Sequence, residues 1–367
     1  MRSLLVTGGA GFIGANFVHY WTRAHPEDRI VVLDLLTYAG NLASLEPVRD
    51  NSRVRFVQGD IRDQVLVGSI FRDEAIDTMV HFAAESHVDR SIAEPDTFID
   101  VNIAGTHVLL RAARAAWLEG DGRPHRFHHI STDEVYGSLG PDDPAFRETT
   151  PYAPNSPYAA SKAGADFLVR AYRETYGLET TISNCSNNYG PYHYPEKLIP
   201  LCLLNIFEGK SLPIYGDGSN VRDWLHVEDH CRGIERILER GSPGETYNIG
   251  GDCERTNLEL VETLCSLVDN EFARRPDLLS RFPDSMPAAG RTSRELITFV
   301  ADRPGHDRRY AIDAEKARRE LGFAPKTDFK TGLRRTLEWY LDNEDWWRGV
   351  RDGSYLEWID RWYEKRR

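Results

Sequence analysis

Short apolar, β-branched runs alternate with longer helical patterns through the first 135 residues. Leu4–Thr7, Ile30–Leu33, Val54–Val57, Thr78–Phe82 and Phe127–Ile130 have the length and branching of strands buried on both faces. Between them, Gly14–Arg23 and Asn102–Trp117 repeat apolar residues at helical spacing. Such alternation predicts a parallel sheet covered by helices on both sides. After Pro157 the stretch YAASKAGADFLVRAYRETYG predicts a long helix with a glycine stop. Beyond about residue 190 the strands shorten (Leu212–Tyr215, Thr246–Ile249, Ile297–Ala301) and mix with helices and polar loops. A second, smaller lobe is expected there, with Thr180–Asn184 still part of the first sheet. The tract Arg274–Arg294, rich in Arg, Pro and Ser, reads as an irregular excursion. The predicted class is α/β: a doubly wound parallel sheet in residues 1–190, joined by some later segments, and a smaller mixed α/β lobe over 191–367.

Composition narrows the partners. With 367 residues, 41% of them hydrophobic, the chain is long enough to bury a sizeable core. The longest apolar run, Leu198–Phe207, is broken by Pro200 and Asn205 and falls short of the roughly 20 residues a membrane span needs. Acidic residues outnumber basic ones by 57 to 45, a net charge of -12, which disfavours nucleic acid because its phosphates require a basic face. Neither a membrane nor a nucleic acid is expected as partner. Five cysteines, without Cys-x-x-Cys spacing, predict a reducing compartment rather than a disulfide framework or structural zinc. The start, MRSLLVTGGAGFIG, runs into glycines where a signal peptide needs a longer apolar core, so a cytoplasmic location is expected.

The chemistry begins at Gly8, Gly11 and Gly14, a G-x-x-G-x-x-G spacing that follows the first strand and opens a helix. Glycines there allow a tight turn and close backbone approach to a pyrophosphate, while the helix N-terminus supplies amide donors. Asp34 ends the next strand, where a carboxylate accepts hydrogen bonds from an adenosine ribose and repels a 2′-phosphate, so NAD is expected over NADP. Asp60 closes the third strand and is either an adenine contact or a surface-turn aspartate. Tyr158 and Lys162 lie one helical turn apart on one face. A tyrosine acting as base near neutrality needs a neighbouring cation, and Lys162 is placed to provide one. Ser131 and Thr132 end the strand FHHIS, where a hydroxyl can meet the same sugar oxygen. His125, His128 and His129 suggest a metal site at first sight, but consecutive strand residues point to opposite faces and no ligand spacing supports one; no metal is expected.

Taken together, these motifs resemble the extended short-chain dehydrogenase/reductase superfamily, with a Rossmann-type cofactor domain and a nucleotide-sugar lobe. STDEVYG (131–137) resembles the dTDP-glucose 4,6-dehydratase family, as do LTYAGN, HFAAESHVDRS, SNNYGPYHYPEKLIP, YGDGSNVRDWLHVEDHCR, YNIGG and DRPGHDRRYAID. The resemblance implies C4 oxidation of dTDP-glucose, loss of water across C5–C6 and return of the hydride to C6. It assigns Glu134 as the C5 base and Asp133 as the acid at the C6 hydroxyl, with Thr132, Tyr158 and Lys162 completing the catalytic set. Cofactor contacts are implied at Gly8, Gly11, Phe12, Ile13, Gly14, Asp34, Leu35, Thr37, Asp60, Ile61, Phe82, Ala83, Ala84, Ser86, Tyr158, Lys162 and Asn188. For the substrate it implies Ser86, Thr132, Asn187, Lys197, Leu198, Pro213, Tyr215, Asn257, Asp302 and His306. Arg222, a planar fork that stays charged, is the best pyrophosphate ligand. For any one of these residues a plain surface or packing role is the alternative. A homodimer through the helices at about 102–117 and 157–176 is also implied. The competing readings are a 4-epimerase or decarboxylase of another nucleotide sugar, and a non-catalytic NAD-sensing protein. The intact Thr132, Asp133, Glu134, Tyr158 and Lys162 set weighs against the last. The C-terminal aromatics (Trp339, Tyr340, Trp346, Trp347, Tyr355, Trp358, Trp362, Tyr363) are expected to pack terminal helices onto the second lobe.

Overall fold

A computed structural model of the protein describes residues 1–302 and 305–351. Its strands are, in chain order, β1 (Ser3–Thr7), β2 (Arg29–Asp34), β3 (Val54–Gln58), β4 (Thr78–His81), β5 (Arg126–Thr132), β6 (Thr180–Cys185), β7 (Asn187–Tyr189), β8 (Leu212–Tyr215), β9 (Val221–His226), β10 (Thr246–Ile249), β11 (Glu254–Thr256) and β12 (Ile297–Val300). Seven of them form one sheet in the order β10-β6-β5-β4-β1-β2-β3, every pair parallel. The strand order reverses between β1 and β4, the crevice where open parallel sheets bind ligands beyond their carboxyl ends.

Both faces of this sheet are apolar because both are covered. Leu5, Val31, Leu33, Met79 and Phe127 pack on one side with Leu109, Ala113, Trp117 and Val169. Leu4, Val6, Ile30 and Val32 pack on the other with Phe17, Val18, Trp21, Cys231 and Ile234. That second set includes residues from beyond 190, and one strand placement changes. Helix Val227–Arg240 lies on the first sheet, and Thr246–Ile249, assigned by pattern to the second lobe, pairs with β6. The chain therefore returns to the first sheet after its first excursion.

The rest of the later chain builds a β11-β9-β7 sheet and a β12-β8 pair around a separate core. Leu203, Phe207, Leu260, Leu264, Phe272, Leu333, Leu337, Tyr340 and Trp347 belong to that core. Helix Asn257–Arg274 starts with a capping box between Thr256 and Glu259, which satisfies two otherwise unpaired amides. The tract 274–294 resolves into short helical turns at Asp277–Arg281 and Pro287–Ala289. Tyr340 and Trp347 are buried in the second core, with Trp339 and Trp346 packed against it; Tyr355, Trp358, Trp362 and Tyr363 lie outside the described residues. Among the described residues, no helix is long and apolar enough to cross a membrane.

Candidate active site

The loop after β1 turns sharply into helix Phe12–Ala24. Gly8 adopts φ +70° and rests against the backbone of Phe82 and Ala83, and a side chain at Gly14 would collide with the Gly8 carbonyl oxygen. The backbone thus forms a cradle that larger residues would fill, suited to a pyrophosphate. Asp34, 8% exposed, accepts hydrogen bonds from the amides of Ala10 (2.9 Å) and Leu36 (2.8 Å). Burial raises its pKa, and those two amides oppose the rise. Asp60 is gripped by Arg62 (2.6 Å), which lowers its pKa.

A cavity of about 380 Å³ runs from this cradle along the carboxyl ends of the strands. Every residue expected at the cofactor borders it: Gly8, Gly11, Phe12, Ile13 and Gly14, Asp34, Leu35 and Thr37, Asp60 and Ile61, Phe82, Ala83, Ala84 and Ser86, Tyr158, Lys162 and Asn188. Thr132 and Asp133 border it too.

A second cavity of about 190 Å³ opens toward the later lobe, bordered by Ser86, Asn187, Lys197, Leu198, Pro213, Tyr215, Arg222, Asn257 and His306. Asp302 borders neither cavity; its carboxylate holds Nδ1 of His306 at 2.6 Å. An exposed carboxylate facing a pyrophosphate would repel it, and orienting the imidazole is the part its position allows. Arg222 is 6% exposed, lies over the Tyr310 ring at 4.2 Å, and donates to the carbonyls of Val221 (2.7 Å) and Asp307 (3.0 Å). Ser86, Glu134, Asn187, Lys197 and Leu198 border both cavities, so Glu134 stands at their junction.

At that junction β5 ends in a helical turn, Asp133–Tyr136, capped by the Thr132 hydroxyl, which accepts from the Glu134 amide at 3.3 Å. Asp133 is 2% exposed. Its Oδ1 accepts from Thr132 at 3.3 Å, and its buried Oδ2 has no hydrogen-bond partner among the described residues. Burial first, then the charges of Glu134 and Asp223, hold its pKa well above the usual carboxylate range, against the pull of Arg222. Burial and neighbouring negative charge favour the protonated form, which can give its proton away.

The helix Pro157–Tyr176 starts with Pro157 in its first turn and the Ser156 hydroxyl accepting from Ala159 N, and ends on left-handed Gly177. It buries Tyr158 and Lys162 on one face. Lys162 borders the larger cavity together with Tyr158. Its Nζ donates to the Ile130 carbonyl at 2.7 Å and lies 3.3 Å from Nε2 of His129. Burial lowers Lys162 to about 8, with Asp166 opposing, and burial raises Tyr158 well above its ordinary value, opposed by a hydrogen bond with Thr132. His128 bonds Thr181.

Sequence reasoning missed Glu85, Glu196, Trp224 and Tyr310. Glu196 and Trp224 border both cavities, Glu85 the first and Tyr310 the second. Glu196 and Tyr310 lie inside stretches already singled out, but the guanidinium groups they meet, Arg90 and Arg222, are distant in sequence.

Residues 5–336 match the family described as GDP-mannose 4,6 dehydratase. A dTDP-glucose 4,6-dehydratase of Neisseria meningitidis serogroup B is 54% identical, over 97% of this chain and 98% of its own. The chain belongs to the dTDP-glucose 4,6-dehydratase family. Among solved structures, the dTDP-glucose 4,6-dehydratase DesIV of Streptomyces venezuelae, solved with NAD bound, superposes with a TM-score of 0.83 at 49% identity, over 95% of this chain and 100% of that one. A UDP-glucose 4-epimerase of Thermotoga maritima shares the architecture at 26% identity, with a TM-score of 0.78 over 94% of this chain and 100% of that one.

Proposed function

We propose that this chain converts dTDP-glucose to dTDP-4-keto-6-deoxyglucose and water, with NAD in the larger cavity and the sugar nucleotide in the smaller. The observation that carries this reading is the buried Asp133 beside Glu134, which stands where the two cavities meet. The glycine cradle fits a dinucleotide, and the Asp34 carboxylate favours an unphosphorylated ribose. When bound, NAD supplies the two-electron chemistry that oxidises C4 and later reduces C6. Tyr158 takes the proton of the 4-hydroxyl. The resulting ketone acidifies C5, and Glu134 removes the C5 proton, then returns one to C5 as C6 is reduced. Asp133 gives its proton to the departing C6 hydroxyl, which leaves as water. Arg222 and His306 hold the diphosphate, and Pro213 and Tyr215 border the place of the base.

Cys185, Cys202, Cys231, Cys253 and Cys265 are free thiols, which supports a cytoplasmic setting. Phe167 and Tyr176 are exposed on helix Pro157–Tyr176, and Ile99 and Leu118 are exposed on the segments Ile99–Gly105 and Trp117–Asp121; exposed apolar groups at these helices support a homodimer. The product suits deoxysugar synthesis, rhamnose included. Incubating the purified protein with dTDP-glucose is expected to give a 4-keto product absorbing in alkali; an epimerised sugar without water loss would overturn the reading.

A further inference from the structure

Two loops from different parts of the chain roof the larger cavity. One, residues 36–44, carries Thr37, Ala39 and Gly40; the other, residues 190–197, carries His193, Tyr194 and Glu196. Each contains a non-glycine residue in the left-handed region, Leu36 (φ 58°) and Tyr192 (φ 64°). Such backbone persists only where its surroundings hold it.

Ala10 and Asn16 hold them from within, through the Asn41 amide (3.0 Å) and the Pro191 carbonyl (2.9 Å), and the C-terminal helices hold both from outside. The Trp346 indole donates to the Ser44 hydroxyl at 3.2 Å and meets the Tyr192 ring edge-on at 5.6 Å. Tyr340 donates to the His193 carbonyl. The Tyr194 hydroxyl donates to the Val350 carbonyl at 3.4 Å, and Tyr194 and Val350 form one apolar cluster with Tyr38, Ala39 and Trp346. The helices Phe329–Asp342 and Glu344–Val350 are otherwise seated on the second core, which buries Tyr340 and Trp347.

We infer that these C-terminal helices are a strap over the cofactor cavity, with Trp346 as the positioning residue that ties both roof loops shut and so sets how slowly NAD leaves. The inference rests on the proposed function, because it takes NAD as the occupant. An enzyme that oxidises and then reduces the same sugar gains from such a strap, since the cofactor is restored in every cycle and has no need to exchange.

The test is a chase experiment. Protein loaded with isotopically labelled NAD is mixed with excess unlabelled NAD and the bound label followed, with thymidine diphosphate affinity measured in parallel. Trp346→Ala is expected to speed NAD release about tenfold, the usual route by which lost contacts weaken a complex, while thymidine diphosphate binding stays within about threefold. Trp346→Phe keeps the packing, loses the indole donor, and is expected to fall between. If Trp346→Ala does not fold, Trp346→Phe and Ser44→Ala, which each delete one hydrogen-bonding partner, carry the test with about threefold faster release. Release within about twofold of wild type in the folded variants would overturn the inference, as would an equal loss of thymidine diphosphate affinity. If wild type takes up no NAD at all, the functional reading itself fails and the strap fails with it.

Discussion

Asp133→Asn separates the steps of the reaction. The amide has nearly the shape of the carboxyl and can accept the Thr132 hydrogen bond seen at 3.3 Å, but it has no acidic proton to deliver to the C6 hydroxyl. General-acid assistance is worth about 10²- to 10⁴-fold, or about 3–5 kcal/mol of barrier at 1.36 kcal/mol per decade. Other groups are poorly placed to compensate. Oδ2 of Asp133 has no partner among the described residues that could relay a proton, and neighbouring Glu134 is the assigned base. Sugar oxidation, which depends on Tyr158, should proceed. Mixed with dTDP-glucose in a stopped-flow instrument, the variant should accumulate reduced nicotinamide, read by its near-ultraviolet absorbance, while 4-keto-6-deoxy product forms about a hundredfold more slowly or worse. Wild type should show little reduced cofactor, because elimination keeps pace. The pH dependence has a definite sign: the proton-bearing form is the active one, so dehydration should fall as pH rises through the elevated pKa of Asp133. Dehydration within about threefold of wild type would refute the acid role.

Two further outcomes follow from the buried groups around the crevice. Lys162 stands at about 8, held up against burial by Asp166; with the ammonium as the working form, activity is lost as pH rises through that value. Asp166→Asn should therefore move the alkaline limb of the pH–rate profile down by about one unit, the scale set by a nearby opposite charge, and an unmoved limb would show that Asp166 only fills space. Gly14→Ala would drive a methyl into the Gly8 carbonyl, costing about 1–3 kcal/mol by overpacking. Its melting temperature should fall, and added NAD should restore less of it than in wild type; a variant as stable and as NAD-responsive as wild type would contradict the cradle geometry.

The sequence showed most where chemistry demands contiguous residues. Gly8, Gly11 and Gly14 sit between a strand and a helix, and Thr132, Asp133 and Glu134 follow a strand end, so local spacing already placed them at the mouth of the sheet. Thr246–Ile249 was harder to place. Its apolar residues fit either lobe, and only the packing of helix Val227–Arg240 beside Phe17 and Trp21 sends it back to β6. That helix followed by a short apolar strand was the available signal. A single helix was expected over Asn102–Trp117, yet residues Ile99–Gly105 form a wider π-helical turn. There the Asn102 side chain grips the backbone of Glu85 (2.9 and 3.0 Å) and the Ser161 hydroxyl (2.8 Å), a long-range clamp that periodicity cannot register. Glu196 remained invisible for the same reason: the guanidinium it meets, Arg90, is distant in sequence.

The central claim is that one active site takes two electrons from C4 of the sugar and returns them to C6 after water has left. dTDP-glucose carrying deuterium at C4 tests it directly, with the product examined by NMR. The account predicts deuterium at C6 of a 4-keto-6-deoxy sugar; deuterium retained at C4 of an epimerised sugar, or lost to solvent, would contradict it.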